Sequence, residues 1–246
     1  MTPAWPGPSG SRSSWGARGG ASRGSGAIAI PRMRGNSDVV IRHATAGDWK
    51  AIRDLCCLTG RQGDPIECGR WPFFAELWVG PYERLRPGWA YVAEAAGRVV
   101  AYLTGCPDSA RFRRERAVHC TLPLALRVVA GRYPASVDGR RFLARTLGLI
   151  ADPERRLRRE ALSRDVDRRY PAHLHMNVSA NRRRQGVGQA LVRRYVADLE
   201  AQAVPGVHLV CGRAPRAFYL GLGFADLGAI EFRAGVWVYG LGRRLP

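Results

Sequence analysis

Apolar and polar residues alternate along DVVIRHAT (38–45), which predicts a half-buried strand. The period then lengthens to that of a helix. In AGDWKAIRDLCCLTG the residues Trp49, Ile52 and Leu55 share a face, and Thr45 or Asp48 is placed to cap it. A second helical pattern covers about 72–85, and WAYVAEAAGRVVAYLTG (89–105) reads as two strands joined by a turn at Ala96-Gly97, a hairpin signal. Further on, AHLHMNVS (172–179) and GVHLVCG (206–212) are short strand patterns with a helix ending near Ala203 between them. Val187, Leu191, Val192, Tyr195, Val196 and Leu199 fall on one face of that helix, and Arg193, Arg194 and Asp198 on another. APRAFYLGLGF (214–224) predicts a short helix closed by glycine, and two strand patterns, 226–233 and 235–240, follow. No internal repeat is visible.

Two stretches break this rhythm. Residues 1–36 are Gly, Ser, Pro and Arg with almost no apolar periodicity, and such a segment buries too little surface to offset its ordering entropy. It is expected to be a disordered tail, with Met33 as an alternative start, and residues 37–246 to form one folded domain. Residues 111–169 are helical in character and carry sixteen arginines against seven acidic residues, so nearly half of the chain's net charge sits in one quarter of its length. Asp152-Pro153 is a helix-start signal inside this stretch. Leu122, Leu124, Leu126, Phe142, Leu143, Leu147 and Leu149 are the apolar residues with which the segment is expected to pack.

Charge changes the picture more than size does. A chain of 246 residues buries one substantial core or two small ones. Its net charge of +19 favours anionic partners through long-range attraction. Lys50 is the only lysine, and a GC-rich bacterial genome would produce the same arginine bias, which weakens a nucleic-acid reading. Aromatic residues are sparse in the basic stretch and no helix-turn-helix or RNA-binding signature accompanies it, so nucleic acid is disfavoured as a partner. The cysteines at 56, 57, 68, 106, 120 and 211 form no CxxC pair and no metal-ligand spacing; no metal is expected, and the thiols suit a reducing cytosol. No apolar run reaches the roughly 18 residues that a spanning helix needs, and AIAI at 27–30 is too short for a secretory segment. A cytoplasmic protein without a membrane partner is expected, with a homodimer open as its assembly.

The chemistry concentrates in NRRRQGVGQALV (181–192), where a strand runs through a polar turn and two glycines into an amphipathic helix. A helix start has unpaired N–H groups and about half a positive charge. Gly186 and Gly188 remove side chains that would keep a pyrophosphate from those amides, and Arg183 and Arg184 add charge at the rim. A helix start that is merely glycine-rich explains the residues equally well. The turn is not a Walker loop, since no Lys-Ser/Thr follows, and its glycine spacing is not that of a Rossmann fingerprint.

Arg183-x-x-Gly186-x-Gly188 after a strand resembles the acetyl-CoA signature of the GNAT N-acetyltransferase superfamily. Phe218-Tyr219 followed by Gly223-Phe224 is similar to that superfamily's later motif, and the opening at 38–105 is similar too. The resemblance covers about 38–240. It departs at Gly212, where Asn is common, and at Pro215, where Ala is usual. AYLTGCPDSARF, then a long insert, then RYPAHLHMNV resembles more narrowly the acetyltransferase-like domain attached to O-GlcNAcases and its free-standing bacterial relatives.

The resemblance implies an α/β (α+β) GNAT fold: a mixed, mostly antiparallel sheet splayed at the acetyl-CoA site, with the helical insert between the third and fourth strands. It implies an N-acetyltransferase using acetyl-CoA as co-substrate, in which a primary amine of a small molecule or peptide attacks the thioester directly. The carried-over cofactor residues are Asn177 and Val178, whose backbone N–H would meet the thioester oxygen. To these it adds Arg183, Arg184, Gln185, Gly186, Val187, Gly188 and Gln189 round the pyrophosphate, and Phe218. Tyr219 would protonate the leaving thiolate; without the motif it reads as a core tyrosine.

His173 and His175 are the candidate bases, alternate residues of one strand that therefore share a face. Counting back from the glycine turn, the pair is displaced by one residue from a His-x-His found within the superfamily, which puts it on the opposite face unless a bulge intervenes. Histidines hydrogen-bonded beneath the insert are an equally good reading. Glu94 or Glu76 through a water, and Asp108 just after a strand, are further candidates. The competing function is a catalytically silent GNAT-fold module that binds acyl-CoA or a partner.

Overall fold

The computed structural model describes residues 38–134, 136–148, 168–233 and 235–246. The expected tail at 1–36, the Asp152-Pro153 helix start and Leu149 lie outside the described residues.

A strand, β1 (Val39–His43), enters α1 (Trp49–Leu58) through a 3-10 turn that Thr45 and Asp48 close as a reciprocal capping box. The helical pattern at 72–85 is two helices, α2 (Trp71–Trp78) and α3 (Gly80–Leu85). Pro81 causes the break, because it has no N–H to give the carbonyl four residues back. That carbonyl, Leu77 O, instead accepts from Arg116 Nη2 at 3.2 Å. β2 (Ala90–Ala95) and β3 (Arg98–Cys106) form the expected hairpin, with Ala96 and Gly97 both at positive φ, the pair of left-handed residues that a tight hairpin turn uses.

The insert opens with α4 (Ser109–Arg116), capped by the Asp108 carboxylate, which accepts from Arg111 N–H at 2.8 Å. A π-helical turn (Ala117–Thr121), α5 (Leu122–Val129) and α6 (Val137–Thr146) follow. Leu124 and Phe142 close a small core on Phe73 of α2, with Leu143 packed at its edge. Leu122, Leu126 and Leu147, expected to pack as well, are exposed.

β4 (Ala172–Val178), α7 (Val187–Ala201), β5 (Gly206–Gly212) and α8 (Arg213–Leu220) come next. β6 (Ala225–Arg233) and β7 (Val236–Arg244) complete the described elements. β7 runs four residues past the expected end. Its glycines resemble a loop in sequence, yet at Gly242 a Cβ would meet Leu227 Cδ1 at 2.8 Å, so the glycine answers close packing inside the strand.

The seven strands lie in the order β1-β2-β3-β4-β5-β7-β6. All neighbours are antiparallel except β4 and β5. Alternation divides the sheet between two cores. Tyr91, Ala93, Leu103 and Leu174 face Leu191, Tyr195 and Leu199 of α7, whereas Val92, Tyr102 and Cys106 face Ile52 and Cys56 of α1, Val79 and Phe112 of α4. Among the described residues no helix is long and apolar enough to cross a membrane.

Candidate functional site

The parallel pair β4–β5 is in register only at Ala172↔Val207 and His173↔His208. Beyond these the strands part, leaving a V-shaped slot in the middle of the sheet. β4 stays paired with β3 all along, from Cys106↔His173 to Ala101↔Val178. Ser179 N–H bonds Val100 O at 2.9 Å. Since antiparallel partners alternate, the N–H groups of Asn177 and His175 also face β3, and those of Met176 and Val178 face the slot. Of the Asn177–Val178 pair, Val178 therefore holds the slot-facing amide.

At the mouth of the slot Gly186 takes φ +79° as N-cap of α7, a conformation that suits glycine. Ala190 N–H makes the first intrahelical bond, to Gly186 O at 3.0 Å, so the N–H groups of Val187, Gly188 and Gln189 precede the ladder. A Cβ on Gly188 would lie 3.2 Å from Met176 Cε and 3.3 Å from Phe218 Cζ. Bare backbone at that position lets β4, the start of α7 and α8 converge. Gln185 turns back on the loop, donating to Asn181 O at 2.8 Å, and Arg184 stands exposed at φ +61°. Arg183 does more than add rim charge. It donates to Val178 O at 3.2 Å and to Gly63 O at 2.6 Å, tying the α1–α2 loop to the end of β4.

Tyr219 is buried, packed edge-on against Phe218 and Phe224 at centroid distances of 5.0 and 5.6 Å. Burial pushes its phenol well above the ordinary value, so it stays protonated. No hydrogen bond to its hydroxyl is found among the described residues. Gly212 and Pro215 are exposed, and neither offers a side-chain donor.

The unbroken β3–β4 register contains no bulge, and it turns His173 and His175 toward α1–α4, away from α7. His173 sits at the closed apex. Its Nε2 lies 2.8 Å from Tyr82 OH and its Nδ1 2.8 Å from Ser109 Oγ, which itself donates to Pro171 O at 2.6 Å. Cys106 Sγ is 3.1 Å from the same Nδ1. His175 sits where the slot opens. Tyr102 OH accepts from Asn177 Nδ2 at 2.8 Å and lies 3.1 Å from His175 Nε2, where either group can donate according to the imidazole tautomer. The ring stacks on Trp78 at 6.1 Å and 20°. Burial, then the Arg116 charge, lowers its pKa to about 4, so the imidazole is neutral at neutral pH.

The carboxylates considered as bases are held elsewhere. Glu76 accepts from Arg53, Arg84 and Arg127, Glu94 accepts from Arg42, and Asp108 caps α4. Tyr102, Trp78 and Tyr82, which surround the two histidines, carry no sequence signal beyond alternation in a strand and an aromatic helix face.

No family model matches the chain. Its fold is nevertheless shared with solved proteins. The structure of SsHAT superposes with a TM-score of 0.64 at 29% identity, covering 84% of this chain and 98% of that one. An N-acetyltransferase from Staphylococcus aureus Mu50 gives 0.50 at 12% identity over 85% and 100% of the two chains. Agmatine N-acetyltransferase gives 0.50 at 18% identity over 85% and 100%. The chain has the GNAT fold, with a mostly antiparallel seven-stranded sheet, and its structural neighbours are acetyltransferases of that superfamily.

Proposed function

We propose that this protein transfers an acetyl group from acetyl-CoA to a primary amine. The observation that carries the reading is the parting of β4 from β5 directly in front of the uncapped, glycine-led start of α7. A pyrophosphate fits against the N–H groups of Val187, Gly188 and Gln189, with Gly186 and Gly188 giving it room and Arg184 and Gln185 beside it. The pantetheine arm lies in the slot past Phe218. Val178 N–H, next to Asn177, meets the thioester oxygen as negative charge develops there.

The neutral amine attacks the carbonyl carbon from the α1–α4 side, the carbon–sulfur bond breaks, and Tyr219 gives its proton to the sulfur. His175, neutral at the open end of the slot, takes the proton that the amine loses, directly or through water. His173 acts behind it as a fixed part of the wall. The arginine-rich insert packs on the same side and favours an acceptor bearing an anionic group. The chain is read as a relative of the acetyltransferase-like domains that are attached to O-GlcNAcases.

One observation favours a second reading, a silent acyl-CoA-binding module: both histidines are already engaged by neighbouring side chains. Calorimetry with acetyl-CoA, followed by thiol release across a panel of amines, separates the two. Binding with release supports transfer; binding without release from any amine supports the silent module; no binding refutes both.

A further inference from the structure

Among the described residues eleven large apolar side chains are exposed, and six of them, Val118, Leu122, Leu126, Val129, Val137 and Leu147, belong to the insert. That concentration calls for a local cause. Val118, Leu122, Leu126 and Val129 are 60%, 55%, 62% and 72% exposed, and their spacings of four, four and three place them in one stripe along the π-turn and α5. The opposite face of the same helix holds Cys120 and Leu124, both buried. The fold therefore has a core to hide apolar residues in, yet it leaves this stripe outside.

Charge says what can cover it. No carboxylate occurs between Glu115 and Asp138. Leu126 and Ala130 share a shallow depression with Arg127, which reaches Glu76 of α2 at 3.5 Å, and Arg132, so guanidinium groups stand beside the apolar ridge. Two copies meeting through this ridge would set arginines against arginines. The ridge is also narrow, about 16 Å long at 1.5 Å per residue, whereas a stable protein interface needs roughly 1,000 Å² or more. An anionic lipid surface suits both features. It takes up a few apolar side chains along a convex helix and attracts flanking arginines to its headgroups. We propose that the exposed face of the π-turn and α5 docks this protein peripherally on membranes containing anionic lipid. The expectation of no membrane partner came from counting apolar runs, and a ridge with one apolar residue per helical turn leaves no run to count.

Vesicle flotation of the full chain tests this directly. The wild type should float with vesicles of phosphatidylcholine mixed with phosphatidylglycerol, and not with phosphatidylcholine alone. The double variant L122S/L126S should lose at least about tenfold in partitioning, and V129S should lose part of it. Thermal unfolding should be unaltered in both, since all three side chains are exposed. If L122S/L126S floats like the wild type, the arginines alone bind and the ridge is not the docking face. If the wild type does not float, the proposal fails; if light scattering shows a dimer that this variant splits, a second copy covers the ridge and the proposal fails as well.

Discussion

Arg183 and Gly63 are 120 residues apart, and the guanidinium of the first donates to the carbonyl of the second at 2.6 Å. Gly63 takes φ +105° there, and its missing side chain leaves room for the guanidinium, since a Cβ would lie 3.0 Å from Arg183 Nη1. The residue most readily cast as a phosphate ligand is thus a strap between the α1–α2 loop and the glycine turn. Arg183→Ala should cost about 1 kcal/mol in urea unfolding and speed amide exchange at Gln62–Asp64 in the absence of any ligand. Unaltered exchange in that loop would mean the strap has no role there.

Gly186→Asp should abolish stabilisation by acetyl-CoA, because a carboxylate would stand at a helix start that otherwise attracts anions. Ligand at a hundredfold excess over its dissociation constant should stabilise the wild type by about 2.7 kcal/mol. Calorimetry showing equal acetyl-CoA binding by the two proteins would overturn the cradle assignment.

Tyr219→Phe is a clean substitution, since the hydroxyl it removes makes no hydrogen bond with the described residues. Melting temperature should hold, acetyl-CoA affinity should change little, and turnover should fall by about 10² to 10⁴-fold. Retained turnover with chemistry rate-limiting would return Tyr219 to the role of a core side chain.

His175 links pH to folding. Its pKa is lowered from 6.5 to about 4, so between those values the unfolded chain binds the proton and the folded one does not. The folded state consequently loses stability as pH falls through that window, and gains nothing further above it. Asn at 175 should flatten the pH dependence of urea unfolding between pH 4 and 6.5, and Arg116→Gln should raise the His175 titration midpoint followed by NMR. Parallel curves for wild type and His175→Asn would show that the imidazole is not the titrating group.

The legible parts of the sequence were those in which one physical requirement dominates. The amphipathic face from Val187 to Leu199 and the Ala96-Gly97 turn follow from periodicity and φ alone, and both stand where expected. Gly186 is the same kind of signal. The break at Pro81 was hidden because apolar spacing continues across it, and the end of β7 because Gly240 and Gly242 look like a loop until the side chains opposite them are known. The partners of His175 were beyond reach for a deeper reason. Tyr102, Trp78 and Asn177 come from a strand, a helix and the histidine's own strand, and only tertiary packing brings them within reach of one ring. Leu122 and Leu126 misled in the opposite direction, since an apolar residue at helical spacing says that a face exists and not what it faces.

The bond from Arg116 to the Leu77 carbonyl bears on anyone trimming this protein to a minimal folded unit. Pro81 leaves that carbonyl without its helical donor, and the insert supplies the replacement. Splicing β3 to β4 through a short turn would strip the donor from Leu77, Phe73 of its cover by Leu124 and Phe142, and His173 of Ser109. The excised protein would expose an aromatic helix face and leave polar groups unpaired beside the slot. Any shortening is therefore better designed to keep α4, α5 and Phe142 of α6 in place than to cut at the ends of β3 and β4.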